Sequence, residues 1–149
     1  MRLLRLLPDQ IMTYWDEIKL CIREALPPVA KDEPQTYLRI QELLLLDLMQ
    51  AWVAVPDDVT TIIYAVVTTK VYTDDCSLTK SLLVYSVTVV NARPTDIWQE
   101  GYKALSIFAR AQQCTSIIAY TYDAHLVQVA KDLGGNVQCT FLAFPLLEE

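Results

Sequence analysis

The chain has 149 residues, 53% of them apolar and 20% charged, a balance that excludes a disordered chain and allows burial of about two-thirds of the unfolded surface. Its formal charge of −6 argues against a hold on nucleic acid, which rests on clustered Lys and Arg. No run reaches the roughly 18 to 20 apolar residues of a membrane span, because the leucines at 43–46 are flanked by Glu42 and Asp47.

Residues 2–7 read as a strand that Pro8 and Asp9 end before a full hydrophobic region or cleavage site appears, so this opening is read as fold rather than signal peptide. Ile11, Trp15, Ile18, Ile22 and Leu26 then recur at steps of four, three, four and four, which predicts one core-facing helix running to Pro27 and Pro28. Pro34 suits a first helical position, and a second helix is expected to about residue 50. Its stripe of Tyr37, Ile40, Leu44 and Leu48 is widened by Leu43, Leu45 and Leu46, which predicts heavy burial.

Strands are expected at 51–55, 61–72 and 78–90, all rich in β-branched and aromatic residues. Pro56-Asp57-Asp58 and Thr73-Asp74-Asp75 separate them by connections short enough to make an antiparallel meander. Pro94, Thr95 and Asp96 then give a helix entry, with Ile97, Leu105, Phe108 and Ala109 on one face to about residue 113. A strand at 115–122, a helix at 124–133 closed by Gly134 and Gly135, and a final strand at 137–144 complete the order. The expectation is a single domain over 1–149 of class α/β (α+β), a central mixed, mostly antiparallel sheet flanked by about four helices.

This order resembles that of the GNAT N-acetyltransferases along nearly the whole chain. Arg5-Leu6-Leu7-Pro8-Asp9 is similar to the family's opening strand and turn, and Lys131-Asp132-Leu133-Gly134-Gly135 to its last helix ending. The family's signature opens the helix after the central strand with a Gln or Arg, two residues, a Gly, one residue, and a Gly or Ala. Small residues there let the diphosphate of acetyl-CoA reach main-chain N–H groups at a helix start. The best placement in this chain is Gln99-Glu100-Gly101-Tyr102-Lys103-Ala104, with Tyr102 where the central Gly belongs and Glu100 adding negative charge. The Tyr acid that the family often carries on its last helix is missing from 124–130, and Asp123 stands about where an Asn often precedes it.

The resemblance thus implies a vestigial acetyl-CoA site, with Val87 and Val89 beside the pantetheine and Gln99, Tyr102 and Ala104 at the diphosphate. No catalytic residue, metal or cofactor is expected, the alternative being an acetyl-CoA-dependent N-acetyltransferase with a divergent loop. A narrower resemblance, carried by Met49-Gln50-Ala51-Trp52-Val53, Ala65-Val66-Val67-Thr68 and Phe108-Ala109-Arg110-Ala111 with Cys114, is to bacteriophage-encoded GNAT-like proteins. It implies a virion-associated structural or accessory component, in the virion or the host cytoplasm. Its partners would be other phage structural proteins or copies of itself, met through an edge strand or the altered helix entry.

The other chemistry-bearing residues have plainer readings. His125, the only histidine, is expected as a capping or surface residue rather than a general base, and Asp57-Asp58 and Asp74-Asp75 as turn formers rather than metal ligands. Cys21, Cys76, Cys114 and Cys139 lack a Cys-x-x-Cys pair and are expected as buried, reduced thiols. Trp98 and Tyr102, four apart on one helix, are expected to share a face where a contact surface could form. Arg2 and Arg5 are left open between a solvated edge and pairing with an acidic partner, and the terminal Glu148-Glu149 would suit an inhibitor of a basic site.

Overall fold

The computed structural model describes residues 1–58, 62–91 and 96–147. The expected strand start at Thr61, the Pro94-Thr95 part of the helix entry and Glu148-Glu149 lie outside the described residues. In chain order the elements are β1 (Arg2–Arg5), α1 (Pro8–Thr13), α2 (Trp15–Glu24), α3 (Pro34–Leu45), β2 (Gln50–Val55), β3 (Ala65–Thr73), β4 (Lys80–Val89), α4 (Ile97–Ala111), β5 (Ser116–Ala119) and α5 (Ala124–Asp132). The strands form one sheet in the order β1-β2-β3-β4-β5, antiparallel except for the parallel β4–β5 pair. This is the mixed sheet expected from the sequence, with five helices among the described residues rather than about four.

The fifth helix comes from a break the apolar periodicity does not register. Tyr14, at φ −106° and ψ 20°, leaves helical geometry, and its N–H closes α1 on the Gln10 carbonyl. The stripe survives the break, since Ile11, Ile18 and Ile22 are all buried. They form one core with Tyr37, Ile40 and Leu44 of α3.

Alternation along β2 divides the molecule into layers. Ala51, Val53 and Val55 face α1–α3, while Trp52 and Ala54 face α4. Both faces of β2 are therefore buried along its whole length, as a central strand covered on each side requires. Polar side chains within the sheet are satisfied internally. The Trp52 indole N–H donates to Thr69 Oγ1 at 2.9 Å, and that hydroxyl donates to Gln50 Oε1 at 2.8 Å.

Four expectations need correction. The leucine run is not uniformly buried: Leu46 and Leu48 are exposed because α3 ends at Leu45 and Asp47, at φ 62°, turns the chain outward. Leu48 and Met49 N–H groups then both donate to the Leu43 carbonyl, a helix stop that normally favours Gly, and Asp47 pairs with Arg5. The edge strands β1 and β5 hold four residues each, shorter than the sequence runs that contain them. Residues 137–144 form no strand. Without that strand Cys139 stays exposed, Cys76 is exposed in the β3–β4 turn, and Cys21 and Cys114 are only half-buried, so the thiols are free without being buried as a set.

A polar clamp ties α2 to α3. Asp32 accepts from the Tyr37 hydroxyl at 2.7 Å and from Arg23 Nε at 3.3 Å, and the Lys19 and Arg23 cations each lie 5.6 Å from the Tyr37 ring centre. The Tyr37 bond, and then Arg23, hold the Asp32 carboxyl below its usual range.

Two measurements check this account. Replacing Thr69 by Val strands the buried Trp52 and Gln50 groups and should lower unfolding stability in urea by about 1–3 kcal/mol. For Asp32, a depressed folded-state pKa means its contribution is present above the unfolded value near 3.9 and is lost as pH falls through the folded one. The stability gap between wild type and Asp32→Asn should therefore be flat from about pH 5 to 8 and close below about pH 4.

Candidate functional site

The site begins with an irregularity in β4. Its pairing with β3 runs Thr68↔Ser86 and then Thr69↔Val84, so Tyr85 is an extra residue opposite that step. The bulge reverses the alternation of the strand. Leu82 and Val84 before it and Val87 after it all pack toward α4, whereas Tyr85 joins the α1–α3 core and Thr88 Oγ1 donates to the Cys21 carbonyl of α2 at 2.6 Å.

The same point ends the parallel pair. β4 and β5 stay in register from Ser81↔Ser116 to Val84↔Ala119 and no further. Residues 85–89 consequently have no ladder partner on the β5 side among the described residues. A cleft of about 280 Å³ opens there, lined by Val87, Val89, Trp98, Asp123, His125 and Leu126. Its two far walls meet where the Trp98 and His125 rings approach edge to face, 6.3 Å between centres.

Of the site residues expected from sequence, Val87 and Val89 line this cleft, and Gln99, Tyr102 and Ala104 do not. Helix α4 is capped by Asp96 and starts at Ile97, and the Glu100 N–H already donates to the Asp96 carbonyl at 3.0 Å. Gly101 to Ala104 therefore sit inside the helical ladder, where N–H groups have partners and cannot serve an anion. Tyr102 is 46% exposed. Trp98, Asp123, His125 and Leu126 are the residues that the signature placement missed; the four-residue spacing of Trp98 and Tyr102 hinted at the first alone.

Charge at the entry to α4 is negative. Asp96 stands at the N-cap position without a hydrogen bond from its side chain to the helix, and Glu100 lies in the first turn, so both put negative charge at the end that the helix dipole makes positive. The nearby Met1 ammonium is raised in pKa chiefly by its hydrogen bond from N to Asp57, with the charges of Asp57, Asp96 and Glu100 adding to it. No Lys or Arg lines the cleft among the described residues; Arg93 lies outside them. The residues fit an extended, largely apolar ligand able to bond the free edge of β4. Among the described residues the lining offers a diphosphate no cation and one carboxylate, Asp123.

Proton-transfer groups are sparse. The His125 ring is exposed and its backbone N–H donates to Asp123 Oδ1 at 2.8 Å, an N-terminal cap. Tyr85 faces a second hollow of about 390 Å³ on the opposite side of the sheet, where burial, and then the neighbouring Tyr37, push its phenol up in pKa. Asp74 bonds the Ser77 N–H and hydroxyl at 2.8 Å each, as a turn former does, and no cluster of metal-binding side chains occurs among the described residues.

A Cβ added to Gly101 meets nothing within 4 Å. With that room for a methyl group, Gly101→Ala should raise stability by about 0.5–1 kcal/mol, as in any unstrained helix interior. Thermal or urea unfolding would read the gain.

No protein-family model matches the chain, and no curated protein matches it. Solved structures do. A predicted acetyltransferase from Clostridium acetobutylicum, solved with acetyl-CoA, superposes with a TM-score of 0.71 at 15% identity over 99% of this chain and 97% of its own. Ribosomal-protein-alanine N-acetyltransferase from Brucella melitensis gives 0.69 at 9% identity over 98% and 100%. AAC(6')-Iy, in complex with the bisubstrate analogue CoA-S-monomethyl-acetylneamine, gives 0.69 at 12% identity over 97% of each chain. With its bulged β4, its parting β4–β5 pair and this likeness over essentially its full length, the chain has the fold of the GNAT acetyltransferases.

Proposed function

We propose that this chain is a GNAT-fold protein that works through protein–protein contacts rather than acetyl transfer, as a structural or accessory component of a bacteriophage particle. The observation that carries the non-catalytic part is the acidic entry to α4, with Asp96 at the N-cap position and Glu100 in the first turn, while no described cation lines the cleft. Tyr102 carries less weight than its place in the sequence suggests, because it is exposed and does not line the cleft. Of the two titratable groups that line the cleft, Asp123 accepts the His125 N–H as the cap of α5, and no tyrosine lines it among the described residues, which supports the same reading. The phage assignment rests on the sequence resemblance of the β2, β3 and α4 segments.

A second reading is favoured by one observation. The cleft beside the free β4 edge has room for the pantetheine arm of acetyl-CoA along Val87 and Val89, which supports an N-acetyltransferase with a divergent diphosphate loop. Direct attack of an amine on a thioester needs mainly positioning and oxyanion stabilisation.

One pair of assays separates them. On the first reading, the purified chain releases no free CoA from acetyl-CoA across a broad amine panel, and the protein sediments with intact particles in a lysate of its phage. Turnover with any amine, together with absence from the particles, would establish the enzyme instead.

A further inference from the structure

We infer, resting on the reading of this chain as a protein that works through contacts, that the cleft beside β4 takes an extended segment of a partner protein. The segment adds as a strand to the free edge at Val87 and Val89, and it carries Lys or Arg at the end nearest α4.

The edge is the first ground. Alternate residues of an antiparallel strand turn their main-chain groups to opposite sides. Val90 donates its N–H to the Tyr64 carbonyl at 2.8 Å, in the same frame as the Val66↔Thr88 and Thr68↔Ser86 pairs. Residues 86, 88 and 90 therefore turn their N–H and C=O groups to β3. Val87 and Val89, out of phase with them, turn theirs to the side that β5 has left, since β5 pairs with β4 only as far as Val84. The cleft wall thus offers two donors and two acceptors at the spacing of a strand, with no described strand to meet them.

The shape of the cleft is the second ground. Its volume of about 280 Å³ admits a single extended strand with small or β-branched side chains and excludes a folded surface. Val87, Val89 and Leu126 make its walls apolar, and the Trp98 ring, edge to face with His125, closes the far side. Domains that bind peptides on a free sheet edge divide the work in this way, main-chain bonds giving affinity and the pockets alongside giving selection.

Charge selects the partner. Asp123 lines the cleft, and Asp96 and Glu100 stand two residues before and two after Trp98 at the start of α4. None of these three carboxylates is in an ion pair with a described residue, whereas Asp57 is paired with the Met1 ammonium. A strand with a basic flank answers them, and one with an acidic flank is repelled. A second copy of this chain, with a formal charge of −6, brings the wrong sign to this rim, so a basic partner is the occupant that fits.

The test uses the full ¹⁵N-labelled chain and three synthetic hexapeptide amides: Lys-Lys-Val-Thr-Val-Thr, its Glu-Glu counterpart, and the first peptide with every Val and Thr N-methylated so that it cannot form a ladder. The Lys-Lys peptide is expected to shift the Val87 and Val89 amides saturably and to slow their exchange, with the other two binding at least about tenfold more weakly. Val89→Pro removes one cleft-facing N–H and no bond to β3, so it should keep the near-ultraviolet dichroism and weaken the Lys-Lys peptide at least about tenfold. Should that variant misfold, the N-methylated peptide gives the same reading on the unaltered chain. Asp96→Asn with Glu100→Gln should bring the Lys-Lys and Glu-Glu peptides within about threefold of each other. The inference is overturned by no saturable shift at millimolar Lys-Lys peptide, or by equal binding of the N-methylated peptide. It is overturned too by slow exchange of both amides before any peptide is added, the mark of a segment of this chain or of a second copy in the cleft. Release of free CoA from acetyl-CoA with an amine separates the two levels: peptide silence without release removes this inference alone, whereas release removes the reading beneath it.

Discussion

One extra residue in β4 shapes the functional half of this molecule. Tyr85 inserts opposite the Thr68–Thr69 step, and a bulge of this kind bends and twists its strand. Its parallel neighbour β5 follows β4 up to Val84 and then leaves. The cleft, the free β4 edge and the side on which Val87 and Val89 present themselves all descend from that insertion. Without it, Ser86 and Thr88 rather than Val87 would face α4, placing two hydroxyls in a layer otherwise filled by Leu82, Leu105 and Ala109.

Electrostatics then decides what the cleft can hold. The start of α4 carries two acidic side chains, Asp96 at its N-cap position and Glu100 in its first turn, which disfavour a further negative charge there. On the proposed reading these side chains oppose a cofactor that carries several negative charges. An extended peptide or an uncharged arm would meet no such opposition beside Val87 and Val89.

Much of the architecture was legible from periodicity. The stripe Tyr37, Ile40, Leu44, the antiparallel meander of β2–β4 and the stop of α5 at Gly134 all follow from local rules that the structure obeys. Gly134, at φ 94°, and the Gly135 N–H bonded to the Ala130 carbonyl make that stop. The bulge was not legible, because Leu83-Val84-Tyr85-Ser86-Val87 reads as strand in either register and only the packing of both faces selects one. Nor was the break at Tyr14, which keeps the apolar stripe in phase. The helix start was not legible from the signature placement: Asp96 stands at the N-cap position of α4 and Ile97 begins it, so Gln99 falls in the first turn. The tail at 137–144 has strand chemistry without a strand partner in its own chain, and local propensity cannot supply one.

The most direct measurement of the central claim is a ¹⁵N NMR titration of the chain with acetyl-CoA, read at the amides of Ile97, Trp98 and Gln99 at the start of α4. The account predicts that these three resonances do not shift saturably at millimolar ligand. Saturable shifts there in the micromolar range would show that the acidic helix entry accepts a diphosphate after all, and would contradict it.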